Sequence, residues 1–373
     1  MPIQIAFPIE QTIIFSLIFF SAIFIFVKIN NKTDIFPVST TNQLKGLAIL
    51  AVVFGHLGYF LSSDTRFLYP LSTISGVGVD IFLFLSGYGL ARSAAKKELS
   101  VIKFYRQRLA KLFIPLWLAV TAFFALDFLV LKKIYPAAEI AGSYLGFFPQ
   151  ADIYGNLDSP LWYFTLILFY YLIFPWLFSR QRPIISALLL LAASFLVLKI
   201  NLPVDIDVYH LYQLHYLAFP LGVLFAAGFA KISFFKKFFP TELEKILSQF
   251  KRLKTLARWA ALAGLIALTA YLGIHSGVGE NTLAVQATSL IMVLGLVLIF
   301  IIKKLEFKIL NLFGLYSYEI YLLHWPIMYR YDLFYKFLPA ALATVLYLGL
   351  FVALGWLLKK ANSFLIKKIN FLR

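Results

Sequence analysis

Residues 44–61 read LKGLAILAVVFGHLGYFL. Apart from Lys45 and His56 the stretch carries no charged or titrating group except Tyr59, and at 1.5 Å per residue it is long enough to cross most of a bilayer's hydrocarbon layer. Lys45 and His56 are eleven positions apart. On an α-helix that separation is a rotation of about 20° and a rise of about 16 Å, so both lie on one face. The segment therefore reads as a membrane helix with a basic group at one mouth and an imidazole about halfway across. Ionisable groups at that depth are costly and mark functional candidates.

Moving outward from this helix, apolar stretches of similar length recur near residues 11–28, 76–92, 111–131, 160–178, 184–200, 209–230, 256–274, 284–302, 310–329 and 338–358. The 373 residues are 61% hydrophobic and 14% charged, unlike the composition of a domain whose main solvent is water. Recurrence along the whole chain excludes a soluble body behind one cleaved leader. Without cysteine there is no disulfide, thiolate-bound zinc or thiol-bound acyl intermediate.

The net charge of +17 would suit nucleic acid, but 28 of the 34 basic residues fall in alternate loops, counting from the loop after the first stretch. That is the positive-inside pattern, and it also suits anionic lipid headgroups. It predicts an all-α polytopic membrane protein of about eleven transmembrane helices, N-terminus out and C-terminus in, with no need of nucleic acid. The inner loop, residues 231–255, interleaves Phe234, Phe235, Phe238 and Phe239 with Lys236 and Lys237, as a surface-lying helix or a solvated basic loop would.

Four more segments carry candidate chemistry. GVGVDIFLFLSGYGLARS (76–93) holds Asp80 near one end and Ser86 midway. SYEIYLLHWPI (317–327) places Ser317, Tyr321 and His324 within about 60° on a helical wheel, with Glu319 on the other side and Pro326 just beyond. KFYRQRLAKLFIPLW (103–117) brings Arg106, Arg108 and Lys111 to the inner face, where they suit phosphates. SPLWYF (159–164) opens an aromatic segment in which Trp162 and Tyr163 suit a sugar ring. The plain alternatives are a hydrogen-bonded core histidine, a capping or salt-bridged aspartate, a topology signal and an aromatic belt. His210 and His215 are five residues apart, off one helix face, and no metal site is expected.

Together, LKGLAILAVVFGH, GVDIFLFLSGY, the Arg108/Lys111 pair, SPLWYF and SYEIYLLHWPI resemble, in order, the motifs of the acyltransferase type 3 family over residues 44 to about 330. These are integral membrane acyltransferases of bacterial cell-envelope glycans. Residues 1–35 then form an extra N-terminal transmembrane helix and 36–373 the acyltransferase domain. The resemblance implies transfer of an acyl group, acetyl first among the expected ones, from cytoplasmic acyl-CoA to a hydroxyl of an envelope polysaccharide or glycolipid, without a metal. His56 becomes the catalytic base and Asp80 a group that orients it. Lys45, Arg106, Arg108 and Lys111 become the CoA contacts, and Ser86, Trp162, Tyr163, Ser317, Tyr321 and His324 hold the acceptor or the oxyanion. Lys45 and Lys111 stand where the family generally has arginine, which keeps charge but loses the planar fork. The implied setting is multi-pass in the bacterial inner membrane, among envelope-biosynthesis partners. A proton-coupled transporter or flippase of an envelope glycan is the alternative, since carriers use the same intramembrane groups.

Overall fold

A core of helices is sealed by glycines at its tightest crossings. The computed structural model describes residues 3–29, 36–96, 99–152, 157, 159–238, 251–275, 282–303 and 305–371, with side chains except at 229–238, 251–258, 275 and 369–371. The expected amphipathic run at Phe234–Phe239 lies outside the described side chains.

In chain order the helices are α1 (Pro8–Ile25), α2 (Val38–Gly55), α3 (Ser75–Lys96), α4 (Val101–Leu126), α5 (Ala137–Leu145), α6 (Trp162–Leu177) and α7 (Pro183–Val197). There follow α8 (Ile206–His215), α9 (Ala218–Phe238), α10 (Lys251–His275), α11 (Thr282–Ile302), α12 (Lys308–Leu315), α13 (Ser317–Pro326) and α14 (Ala340–Phe371). Three helices end in π turns: α2 at His56–Leu61, α4 at Asp127–Leu131 and α13 at Ile327–Tyr331. The chain is a multi-pass, all-α membrane protein. Eight helices among the described residues are long and apolar enough to span, α8 and α9 counting as one. Of the other three expected stretches, two form the shorter apolar helices Pro183–Val197 and Trp259–Ile274. The third, residues 310–329, is broken at Tyr316 into α12 and α13.

Close crossings bring α2 onto α12 and α3 onto α9. A Cβ at Gly46 would collide with the Leu310 carbonyl, and one at Gly314 with that of Asn42. Gly87 and Gly222 make the same reciprocal fit, against Phe219 and Phe84. Without an oil–water driving force between membrane helices, such contacts supply the packing energy. Large apolar side chains such as Leu17, Phe24, Leu188, Phe195 and Trp356 stay exposed, as on a lipid-facing surface.

At one end of the bundle a two-stranded ribbon pairs β1 (Val27–Ile29) with β2 (Leu305–Phe307), antiparallel, with Lys28 opposite Glu306. The two turns it joins are ones that the charge alternation puts on the same side. The lone bridge between Ile3 and Ser62 joins two segments assigned to the other side. α1 is held to the core through these ends, by Thr12 Oγ1 accepting from Leu68 N at 2.8 Å and by Gln11 Oε1 accepting from Ala341 N at 2.9 Å.

Candidate functional site

Five helices, α2, α3, α4, α6 and α13, enclose a cavity of about 270 Å³. Seven of the sequence-predicted site residues line it: Lys45, Ser86, Arg108, Lys111, Tyr163, Ser317 and Tyr321. Lys45 and Arg108 are half-buried and Lys111 is exposed. No hydrogen bond or ion pair engages these three cations among the described residues, and the lining contains no carboxylate. The cavity thus has an excess of positive charge facing apolar and phenolic walls, the arrangement an anionic ligand would complete. Arg106, on the same stretch of α4, lies outside the lining and is engaged elsewhere.

Helix α13 delivers the hydroxyls. Ser317 Oγ donates to Gly314 O at 3.1 Å, Tyr321 Oη to Pro160 O at 2.8 Å, and Tyr318 Oη to Leu112 O at 2.6 Å. Each retains lone pairs with which to accept. Glu319 is buried on the opposite side, toward Gly355 of α14, which is the bracing position its wheel angle predicts.

One turn beyond Tyr321, whose ring lies 6.4 Å away, stands His324, fully buried. Its Nδ1 lies 2.9 Å from Tyr321 O and 3.1 Å from Ile320 O, so Nδ1 carries the proton and Nε2 is an acceptor. That acceptor is 3.4 Å from His56 Nδ1, which itself donates to Val52 O at 2.8 Å. Both rings satisfy their contacts as neutral Nδ1–H tautomers, and the assignment follows from the carbonyl partners. His56 Nε2 is left with its lone pair and no hydrogen bond among the described residues, on a half-buried ring flanked by Trp325 at 5.2 Å and Phe60 at 5.7 Å. His56 and Ile327 each begin a π turn, a geometry common at functional sites because it re-aims side chains.

Asp80 does not meet His56. Its carboxylate accepts from His215 Nδ1 at 2.8 Å and from the Ser289 hydroxyl, and it is fully buried. The reason is angular: Asp80 and Ser86 are about 120° apart around α3, so while Ser86 faces the cavity Asp80 faces α8 and α11. The expectation that Asp80 orients His56 is corrected to this: Val52 O holds the His56 ring, and Asp80 joins three helices. Trp162, expected to present its face to a sugar, is stacked on the His215 ring instead, centroids 5.6 Å apart and planes at 21°. Sequence reasoning missed His215 and Ser289. The intramembrane-charge rule does flag His215, but its spacing from His210 drew attention to metal binding alone.

A second buried cluster ties the π turns of α4 and α13 together. Arg330 donates to Asp127 Oδ2 at 2.6 Å and to Tyr135 Oη at 2.7 Å, Tyr331 Oη donates to Asp127 Oδ1 at 2.5 Å, and Tyr135 also donates to Asp127. No group of three or more potential metal ligands occurs among the described residues.

A family model described as an acyltransferase domain matches residues 40–360, beginning after α1. No curated protein and no solved structure matches the chain.

Proposed function

Because the chain belongs to the acyltransferase domain family, we propose that it takes an acyl group, acetyl first, from cytoplasmic acyl-CoA and delivers it to a hydroxyl of an envelope polysaccharide or glycolipid. The observation that supports this is the cavity ringed by the unpaired cations Lys45, Arg108 and Lys111, together with the imidazole of His56 just past the end of α2, whose Nε2 is unengaged. The phosphates of the donor would lie at Lys45, Arg108 and Lys111. The pantetheine arm would run about 16 Å up the α2 face, bringing the thioester to His56.

There, Nε2 accepts the proton of the acceptor hydroxyl as that oxygen bonds to the thioester carbonyl carbon. The carbon–sulfur bond breaks, and the thiolate leaves with the proton returned from His56. Val52 O, with His324 Nε2 beside it, holds the Nδ1–H of His56 and so keeps the lone pair on Nε2 available. Ser317, Tyr321 and Tyr163 border the space for the acceptor. A bacterial inner membrane, with envelope-synthesis partners, is the setting this chemistry fits.

Purified protein in detergent, supplied with labelled acetyl-CoA, should release CoA and transfer label to an added glycan. A carrier has no chemistry without a closed membrane, so absence of CoA release would return the case to transport.

A further inference from the structure

Helix α14 follows its apolar run with two adjacent lysines, Lys359 and Lys360, and the fold uses them differently. Lys360 lies over the ring of the exposed Trp356, 5.0 Å from its centre, as a cation does at a lipid–water border. Lys359, about 100° away around the helix, shares a face with Gly355 four residues earlier. That face packs on the break between α12 and α13: a Cβ at Gly355 would lie 3.1 Å from the Tyr316 side chain. Lys359 itself is half-buried, donates to Leu315 O and stands 5.2 Å from the centre of the Tyr316 ring.

The break adjoins the entrance of the cationic cavity. Helices α2 and α12 run antiparallel where they touch, Gly46 against Leu310 and Gly314 against Asn42. Asn42 is three residues, or about 4.5 Å, nearer the inner end of α2 than Lys45, and Leu315 follows Gly314. Just past the break, Ser317 and Tyr318 line the cavity. Lys359 is thus a fourth cation, on the cytoplasmic side of the other three, and of the charges acting on Lys45 its own comes first, ahead of Arg108 and Lys111. One of its three N–H bonds goes to Leu315 O, which leaves two. It makes no ion pair among the described residues, and Glu319, buried beyond Tyr318, feels its charge without meeting its ammonium. Capping a carbonyl explains one N–H. It does not explain a fourth positive charge gathered beside three others, an arrangement that an anion would offset.

We propose that Lys359 holds the outermost phosphate of the donor, the 3′-phosphate on the ribose of CoA, while Lys45, Arg108 and Lys111 face the pyrophosphate. The assignment rests on the acyl transfer proposed above and follows the order of groups along the donor: thioester, pantetheine arm, pyrophosphate, then ribose with its 3′-phosphate. With the thioester innermost, the phosphomonoester is the charged group nearest the cytoplasm, where Lys359 stands. A phosphomonoester carries about two negative charges near neutral pH, and a lysine serves it as a point charge with free N–H donors. The phosphate of an anionic lipid offers related chemistry from the inner face of the bilayer, so the test separates the two sources.

The test uses the full chain in nanodiscs of phosphatidylcholine, with and without phosphatidylglycerol, and measures the Kd of CoA and of dephospho-CoA, which lacks only the 3′-phosphate. Lys359→Gln should weaken CoA binding roughly tenfold, the scale of one hydrogen bond to a charged group. It should weaken dephospho-CoA by less than about twofold, the range of a screened charge. Lys359→Arg, which keeps the charge, should keep the preference for CoA. Equal weakening of both ligands would make Lys359 a brace of the α12–α13 break and overturn the assignment, and so would an unchanged CoA affinity. Thermal stabilisation by phosphatidylglycerol that Lys359→Gln abolishes, with the preference for CoA intact, would give the site to a lipid phosphate and overturn it as well. CoA bound with the expected preference but never released from acetyl-CoA would instead remove the acyl-transfer reading and leave the Lys359 contact standing.

Discussion

Helix α4 carries charge at both ends, and the ends treat it in opposite ways. At the Asp127 end, the carboxylate and Arg330 are buried and bonded to each other and to two tyrosines. Roughly 24–29 Å away along the helix, Lys111 and Arg108 join Lys45 around a cavity with no counter-charge among the residues that line it. Removing a charge from water is expensive unless a partner compensates it. The paired set is therefore architecture, complete as it stands, while the unpaired set is open to an anionic ligand.

Substitutions at the two ends should separate accordingly, most strongly at the paired end. Arg330→Ala leaves Asp127 buried without its cation and should cost about 3–5 kcal/mol, read as lost folded yield and an earlier thermal unfolding in detergent. If it is tolerated as well as Arg108→Ala, the contrast fails. Ser289→Ala, which strips one donor from the buried Asp80 carboxylate, should cost less, about 1–3 kcal/mol, by the same assay. Arg108→Ala should change stability by no more than about 0.5 kcal/mol, and under the proposed function should raise the donor KM roughly tenfold, about 1.4 kcal/mol, with acceptor KM unchanged. A donor KM that does not move would remove the anion from the cavity.

The smallest effect belongs to an exposed pair. In the loop between α2 and α3 the Arg66 guanidinium, hydrogen-bonded to Asp64, holds that carboxyl down to about 2. A carboxyl depressed in this way contributes above its unfolded value and loses the contribution as pH falls toward 2. Solvent screens the contact. Arg66→Ala should therefore leave unfolding and activity at pH 7 where they were, and any large shift would show that exposed pairs matter as much as buried ones here.

What the sequence made legible follows helical periodicity. Ser317 and Tyr321, one turn apart on α13, both line the cavity, as does Lys45, whereas His56 lies past that lining at the start of the π turn that ends α2. Ser86 and Tyr163 were found through motif order, and both line the cavity. Asp80 was placed on its helix, but its partners are 135 and 209 positions away, and a wheel gives a face without naming the helix opposite. Asp127 and Arg330 sit in π turns, where the 3.6-residue period breaks down and a wheel misplaces side chains. The extent of α12 and α13 was hidden for a related reason: an apolar window does not register the break at Tyr316.

The most direct test replaces the imidazole at position 56. With His56→Ala folded and unfolding at the wild-type temperature, acyl transfer from acetyl-CoA should fall at least about 10²-fold, the lower range for loss of a general base. Turnover near that of the unaltered chain would contradict the role given to its Nε2.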